Sequence, residues 1–151
     1  MQESCHLCER GQQPIEKGAF RSCMSLKEIE IPASVEYMAP GLFSGLDVAG
    51  LGIAGENPCY CMNGSLVLSS DRRLIVSIFR CVCQIEIPAS VEVLCEECFS
   101  GSGLSRVTFA SGSRLQRIEK GAFRLCNSLK EVEIPASVSC DGDVGVLVRR
   151  R

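Results

Sequence analysis

The sequence predicts a solenoid of the α/β repeat class, because the same short segments recur along a chain of 151 residues. The heptapeptide IEKGAFR stands at residues 15–21 and again at 118–124, and a segment LKE(I/V)EIPASV follows each copy. A third copy of the later segment, QIEIPASV, occupies residues 84–91. Repeats this short cannot bury an apolar face alone, so they must stack around a shared core.

Five units appear when the chain is aligned on itself, and each carries the same spaced apolar triplet. The second and third triplet positions are two residues apart, the period of a β-strand, so they face the core while the residues between them face solvent. The triplets start 22, 34, 22 and 25 residues apart, and the longest interval indicates an insertion. They are Leu26/Ile29/Ile31, Val48/Leu51/Ile53, Val82/Ile85/Ile87, Leu104/Val107/Phe109 and Leu129/Val132/Ile134.

Two further signatures flank these strands. The prolines of IPASV follow the strand directly and cannot donate to its ladder, so they end it. A residue pair ending in phenylalanine precedes four of the triplets and predicts a turn or short helical step on the convex side, with one ring plugged into the interior. These pairs are Ala19-Phe20, Leu42-Phe43, Cys98-Phe99 and Ala122-Phe123.

The combination of Leu-x-x-Ile-x-Ile-Pro-x-Ser-Val with Ala-Phe-x-x-Cys closely resembles the BspA-like leucine-rich repeats of microbial surface and secreted proteins. The resemblance covers residues 15 to about 138. It implies a leucine-rich repeat solenoid of about five right-handed coils, with a parallel β-sheet on the concave face. It also implies adhesion or binding of a protein partner, in a host or extracellular setting, without catalysis.

The long interval between the second and third strands predicts an inserted hairpin at about residues 57–80. Asn63-Gly64 and Asp71-Arg72-Arg73 separate three runs of β-forming residues, at 59–62, 66–69 and 74–78. BspA-like chains resemble this segment in carrying an aromatic residue, a glycine turn and a Ser-Asp element before the next coil. Two interpretations are open: a protruding binding hairpin, or a variant coil packed on the stack.

Both ends of the chain depart from the repeat. We expect residues 1–14 to be a degenerate or disordered start, residues 15–138 to form the leucine-rich repeat domain, and residues 139–151 to be a frayed tail. The run Arg149 to Arg151 fits either an anionic docking site or a solvated terminus. The start lacks the apolar run of a secretory signal, and no uninterrupted apolar stretch reaches the length of about 18 residues that would span a bilayer, so no membrane insertion is expected. These features predict either a protein that works inside the cell or a fragment of a longer exported chain.

Composition and motifs argue against several functions. With 16 basic and 18 acidic residues, the net charge of −2 offers no bulk attraction to nucleic acid or anionic lipid. The one histidine, His6, has no repeat partner, and no glycine-rich phosphate loop is present. We therefore expect no enzyme, no cofactor and no small-molecule substrate.

Eleven cysteines allow several interpretations. Cys5 and Cys8 have the spacing of a zinc knuckle, with a disordered start as the alternative. The repeat alignment makes Cys95 and Cys98 ordinary repeat positions, Cys98 facing inward and Cys95 outward, so no metal site is predicted. Cys23 and Cys126 are expected to be buried, inert thiols. Cys59 and Cys61 share one face of a strand, as do Cys81 and Cys83, and the two pairs could cross-link to each other if their strands are neighbours. Reduced thiols are favoured over disulfides.

The predicted binding surface is the exposed side of the parallel sheet, where two columns of side chains make a mostly acidic strip. Two hypotheses account for this strip. Either it docks a basic or polar protein surface, or it is a solvated face that is kept charged for solubility. The chain is accordingly either an adhesion-type protein-interaction module or a purely structural spacer. The strip comprises Glu28, Glu30, Gln84, Glu86, Arg106, Thr108, Glu131 and Glu133, with Gly50 and Gly52 between them.

Overall fold

The computed structural model describes residues 15–16, 28–44, 50–79 and 82–150, which form a β-solenoid of about five turns. Twelve short strands, numbered in chain order, occur in these ranges. They are β1 (Glu28–Ile31), β2 (Gly50–Ile53), β3 (Tyr60–Asn63), β4 (Leu66–Ser69), β5 (Leu74–Ile78), β6 (Gln84–Ile87), β7 (Val93–Leu94), β8 (Arg106–Phe109), β9 (Arg117–Ile118), β10 (Glu131–Ile134), β11 (Ser139–Cys140) and β12 (Leu147–Arg150).

The side of the solenoid that the sequence predicts to be concave is built from parallel strand pairs in the predicted register, and we keep the name concave side for it. Ile31 of β1 lies beside Ile53 of β2, and Ile87 of β6 lies beside Phe109 of β8. Ile31, Ile87 and Ile134 are all fully buried, while the residue before each of them is exposed. The predicted alternation of core and solvent positions is therefore confirmed in these strands.

A second sheet runs along another side of the coils. Strands β5, β7, β9 and β11 are parallel and stack one per coil, and β4 and β3 extend this sheet in antiparallel fashion beyond β5. The strands β7, β9 and β11 are only two residues long. Strands this short contribute ladder hydrogen bonds between coils without a recognisable period of their own.

The convex steps are turns, so the helical steps and the α/β label predicted from the sequence are wrong. None of the described ranges contains a helix, and hence none offers one long and apolar enough to cross a membrane. The backbone groups of these steps bond to the next coil instead: the Phe99 N–H donates to the Ala122 carbonyl at 2.9 Å, and the Phe123 N–H to the Val144 carbonyl at 2.8 Å. Glu97 and Leu125, with φ of 56° and 60°, also have a backbone conformation that ends a right-handed helix.

The predicted aromatic plugs are confirmed at three of four positions. Phe43, Phe99 and Phe123 are buried to 1% exposure or less. The rings of Phe99 and Phe123 stack in successive coils, with centroids 5.4 Å apart and planes 17° from parallel. Phe20 lies outside the described residues.

The insertion is packed into the solenoid and does not protrude. Its strands β4 and β5 have the predicted bounds, and β3 is displaced by one residue. The two-residue turn Gly64-Ser65 connects β3 to β4, with Gly64 at φ 59°. Residues Leu66, Val67 and Leu68 of β4 are consecutive and all buried, as in a strand covered on both faces.

The insertion divides the interior into two apolar clusters. Leu66 and Leu68 belong to the cluster of the later coils, whereas Val67 between them belongs to the cluster of the first coils. On β5, Ile75 and Val76 face opposite clusters in the same way. The insert is thus a shared wall between two half-cores.

The tail predicted to fray forms a further, shortened coil. β11 pairs with β9, and β12 pairs with β10, both in parallel. β12 begins 16 residues after β10, whereas β10 begins 25 residues after β8, so this coil lacks part of the convex step. Gly145 permits the shortcut because a Cβ there would lie 2.6 Å from the backbone N of Arg124, and its φ of 93° suits glycine.

Candidate functional site

The eight residues of the predicted concave strip all lie on β1, β6, β8 and β10 with their side chains away from the core. Seven of them are exposed, and Thr108 is half-buried, with its Oγ1 3.5 Å from the Ile85 carbonyl oxygen. The parallel register sets Gln84 beside Arg106 and Glu86 beside Thr108. The structure therefore brings these residues onto one surface, while their role in binding stays a prediction.

Two glycines widen the strip at its first coil pair. Gly50 lies beside Glu28 and Gly52 beside Glu30. A Cβ added at Gly50 would lie 3.4 Å from Glu28 Cγ, and one at Gly52 would lie 3.9 Å from Glu30 Cγ. The aliphatic parts of both glutamate side chains therefore border backbone that carries no side chain on this face.

The shortened last coil adds two strip residues that the sequence analysis missed. Leu147 lies beside Glu131, and Arg149 lies beside Glu133. The guanidinium of Arg149 forms an ion pair with Glu131 at 3.4 Å, although both side chains are largely exposed, so the pair adds little stability. The described part of the arginine run therefore contacts the fold: Arg150 also donates to the carbonyls of Ala136 and Val138.

The strip is not one uninterrupted sheet. Its strands are hydrogen-bonded as three separate pairs, β1 with β2, β6 with β8, and β10 with β12. β8 and β10 are close neighbours without a shared ladder, whereas the hairpin insertion intervenes between β2 and β6. The continuous column expected from the repeat alignment is thus broken at the insertion.

Asn57 holds the start of the insertion against the first coil, and the sequence analysis did not single it out. Its Nδ2 donates to the carbonyls of Pro32 and Val35, each at 3.0 Å. Its Oδ1 accepts the N–H groups of Cys59 and Tyr60, at 2.8 and 3.0 Å. A buried asparagine with every bond satisfied fixes a local geometry, and Asn-Pro after a glycine turn is the sequence signal that could have indicated it.

A tyrosine adds a second link at the same place. The Tyr60 hydroxyl accepts the N–H of Met38 at 2.8 Å. Burial raises the pKa of Tyr60, and the hydrogen bond from Met38 opposes that rise. β3 is therefore fixed against the first coils, and the edge of the insertion is held in place next to the strip.

The thiols of Cys95 and Cys98 are both core groups. Cys98 is buried as predicted, but the outward orientation expected for Cys95 is wrong, since only 7% of Cys95 is exposed. Burial, reinforced by the Glu119 carboxylate, raises the pKa of Cys95 to about 12, and burial raises that of Cys98 well above its usual range. Thiols so hard to ionise are poor metal ligands and poor nucleophiles.

Cys126 is a buried thiol, as predicted. Its Sγ lies 3.1 Å from the Phe99 carbonyl and 3.3 Å from Ser102 Oγ, and burial raises its pKa. Within the described ranges no three histidine, cysteine or acidic side chains are grouped to hold a metal ion. Cys5, Cys8 and Cys23 lie outside those ranges.

The cross-link considered between the cysteine pairs at 59/61 and 81/83 finds no support. β3, which contains Cys61, pairs only with β4 among the described strands, so it is not a ladder neighbour of Cys83. Cys81 lies outside the described residues. The seven cysteines that the structure does describe are free thiols.

The repeat architecture and its sequence signatures have a counterpart among known families. A family model for the BspA type leucine rich repeat region matches residues 5–54 and 77–143, in six copies. The chain belongs to the BspA-type leucine-rich repeat family. The unmatched residues 55–76 contain β3, β4 and the start of β5, so the insertion is what departs from the family repeat.

Two solved structures share the fold. A leucine-rich repeat protein from Eubacterium ventriosum has a TM-score of 0.64 and 23% identity, over 78% of this chain and 32% of that one. The pneumococcal vaccine antigen PcpA has a TM-score of 0.50 and 24% identity, over 83% of this chain and 29% of that one. The chain therefore spans about a third of the length of these two proteins. No curated protein sequence matches it significantly.

Leucine-rich repeat families are generally non-enzymatic, and their repeats generally mediate protein interactions. In this BspA-type chain the arrangement on the concave side suits that use. The strip is held by parallel ladders over a buried core, so its side chains are presented from a fixed backbone.

Proposed function

We propose that the protein is a non-catalytic interaction module whose concave strip binds a protein with a basic or polar surface. The observation that carries this proposal is the charge of the strip. Its described residues include five glutamates and two arginines, a formal charge of −3. The whole sequence carries only −2, so the acidic excess is concentrated on this surface.

The charge distribution defines the kind of partner. Complementary charges across an interface raise the association rate and discourage wrong partners more than they raise affinity. Exposed charges are screened beyond about 8 Å at physiological salt, so binding should weaken as salt is added. A partner with lysine or arginine side chains on its docking surface fits this strip best.

We propose further that the module serves adhesion as part of a longer surface or secreted protein. This proposal is supported by the family of the chain, because BspA-like repeats resemble it in both the strand signature and the phenylalanine signature. The alternative is a structural spacer, which would present the same strip with no ligand of its own. The two functions differ in what happens when the strip is changed.

The test compares two triple variants with the same net change in charge. The strip variant carries Glu86→Lys, Arg106→Glu and Glu133→Lys. The control variant carries Glu36→Lys, Glu56→Lys and Arg114→Glu, at three exposed positions off the strip. Thermal melting first establishes that both variants fold like the wild type.

The proteins that each form captures from a host-cell surface extract are then quantified by mass spectrometry. An interaction module should retain its partners in the control variant and lose them at least about fivefold in the strip variant, a difference of about 1 kcal/mol. Equal capture by all three forms would contradict the proposal and favour the spacer.

A further inference from the structure

Where the concave sheet is interrupted, none of the described residues pairs with the edge of β6 that faces away from β8, and we call this the open edge. On its other edge β6 pairs with β8: the Cys83 carbonyl accepts the Ser105 and Arg106 N–H groups, and the Ile87 carbonyl accepts that of Ala110. Backbone groups alternate sides along a strand, so those of Gln84 and Glu86 point away from β8. No described residue hydrogen-bonds to them there.

A groove of about 240 Å³ runs along this open edge. One wall is the hairpin turn from Asn63 to Leu66, and the other is β6 with Val82 before it. Val82 and Ile85 are half-buried in the groove. Of the residues equivalent to Ile85, Leu51 is also half-buried, whereas Ile29, Val107 and Val132 are buried. The groove thus combines an apolar floor with unpaired backbone donors and acceptors.

These two features determine the class of ligand. Unpaired N–H and C=O groups at the strand's spacing are a template for another extended backbone. The half-buried apolar floor accepts every second side chain of such a strand, since successive side chains point to opposite faces. Among the described residues that line the groove, Glu86 alone is ionisable, which favours a basic residue in the ligand.

We propose that this groove binds an extended, basic peptide segment of a protein partner by strand addition to the open edge of β6. The inference rests on the proposed interaction function and gives it a specific site. The segment's backbone bonds to Gln84 and Glu86, its apolar side chains cover Val82 and Ile85, and a lysine or arginine lies against Glu86. The partner strand takes the place beside β6 that a regular coil would have filled.

The probe is the hexapeptide acetyl-Val-Lys-Val-Lys-Val-Lys-amide, titrated into the full chain by calorimetry and by amide NMR. Two further peptides carry N-methyl groups, one on all three valines and the other on all three lysines. In strand addition only alternate peptide N–H groups face β6. One methylated peptide should therefore bind like the parent, and the other should bind at least about tenfold more weakly.

Protein variants test the same contact from the other side. Glu86→Pro removes the N–H at a position facing the open edge, where proline is tolerated in a strand. Glu86→Ala removes the carboxylate alone and keeps the N–H. We expect about tenfold weaker binding for the proline variant and about threefold for the alanine variant. Should the proline variant fail to fold, the methylated peptides decide the question.

Three results would overturn the inference. The first is no binding of the parent peptide at millimolar concentration, and the second is equal binding of the two methylated peptides. The third is a dimer in sedimentation with the Gln84 and Glu86 amides protected from exchange, because the edge would then be covered by a second copy. If any of these occurs while the strip variant still loses its captured partners, the proposed function stands and only the strand-addition site is refuted.

Discussion

The stacked rings of Phe99 and Phe123 allow a quantitative test of the shared interior. Both side chains are fully buried, and their centroids lie 5.4 Å apart in neighbouring coils. Replacing either ring with leucine keeps an apolar side chain but removes volume and the ring contact. We expect each single variant to lose about 1–2 kcal/mol of unfolding free energy, below the 3–5 kcal/mol typical of Phe→Ala.

The double variant then isolates the contact between the rings. Stacked aromatic pairs contribute about 0.5–1.5 kcal/mol beyond the area they bury, so Phe99→Leu/Phe123→Leu should lose less than the sum of the single losses by that amount. The measurement is urea unfolding followed by circular dichroism, with the slope checked to be the same in all four proteins.

A matched cycle supplies the control. Phe43 is equally buried but belongs to the cluster of the first coils, so Phe43→Leu and Phe123→Leu should add within about 0.5 kcal/mol. Additive losses in the Phe99/Phe123 cycle, or single losses below about 0.5 kcal/mol, would refute the stacked interior.

Three other perturbations test separate features. Asn57→Ala removes four hydrogen bonds to backbone groups, one of them buried and three part-buried, and should lower the unfolding free energy by about 2–4 kcal/mol in urea titration. A loss below about 1 kcal/mol would be inconsistent with that network. Gly145→Ala should lower the unfolding free energy by at least about 2 kcal/mol, because Gly145 has a positive φ and lies close to the Arg124 backbone. As its control, Gly55→Ala should change the melting temperature little, since no atom lies within 4 Å of the added Cβ. At pH 8 iodoacetamide should label the exposed Cys83 in the native protein and leave Cys95 unmodified until unfolding, because a thiol with a pKa of about 12 stays protonated; native labelling of both at similar rates would contradict its burial.

The repeat signatures predicted the concave strands because their apolar positions follow the strand period and recur in register. Ile31, Ile87 and Ile134 could therefore be placed in the core, and the glutamates before them on the strip, from the sequence alone. The convex side could not be predicted so well. Strands such as β7 and β9 are two residues long, which is too short to show a period in the sequence. The turns are held by hydrogen bonds to the next coil, and the sequence of a single coil does not distinguish them from short helical steps.

The last coil was not recognised as a coil, and the insertion was left with two interpretations, of which the packed variant coil agrees with the structure. The last coil has Val144 at the position of Ala122 and Gly145 at that of Phe123, so it lacks the core phenylalanine and the repeat alignment no longer extends to it. The insertion carried a usable signal in the uninterrupted run Leu66-Val67-Leu68, which is typical of a strand buried on both faces. A one-sided surface hairpin would alternate apolar and polar residues instead.

The open groove beside β6 was beyond reach of the sequence, because it depends on which strands fail to pair. The repeat pattern predicts a neighbour for every concave strand, and the long interval before β6 indicates an insertion without showing that it separates β2 from β6. Only the three-dimensional position of the hairpin turn shows that Gln84 and Glu86 face an unfilled space.

The shared wall formed by β4 bears on how the molecule comes apart. In a regular stack each winding supports only its nearest neighbours, so unravelling can start at an end and proceed step by step. Here Val67 packs in the apolar cluster of the first coils, and Leu66 and Leu68 pack in the cluster of the later coils. Loss of this strand therefore exposes both clusters to water at once. The slowest-exchanging amides of the chain are therefore expected in the middle of the inserted segment, and its opening is expected to mark global unfolding.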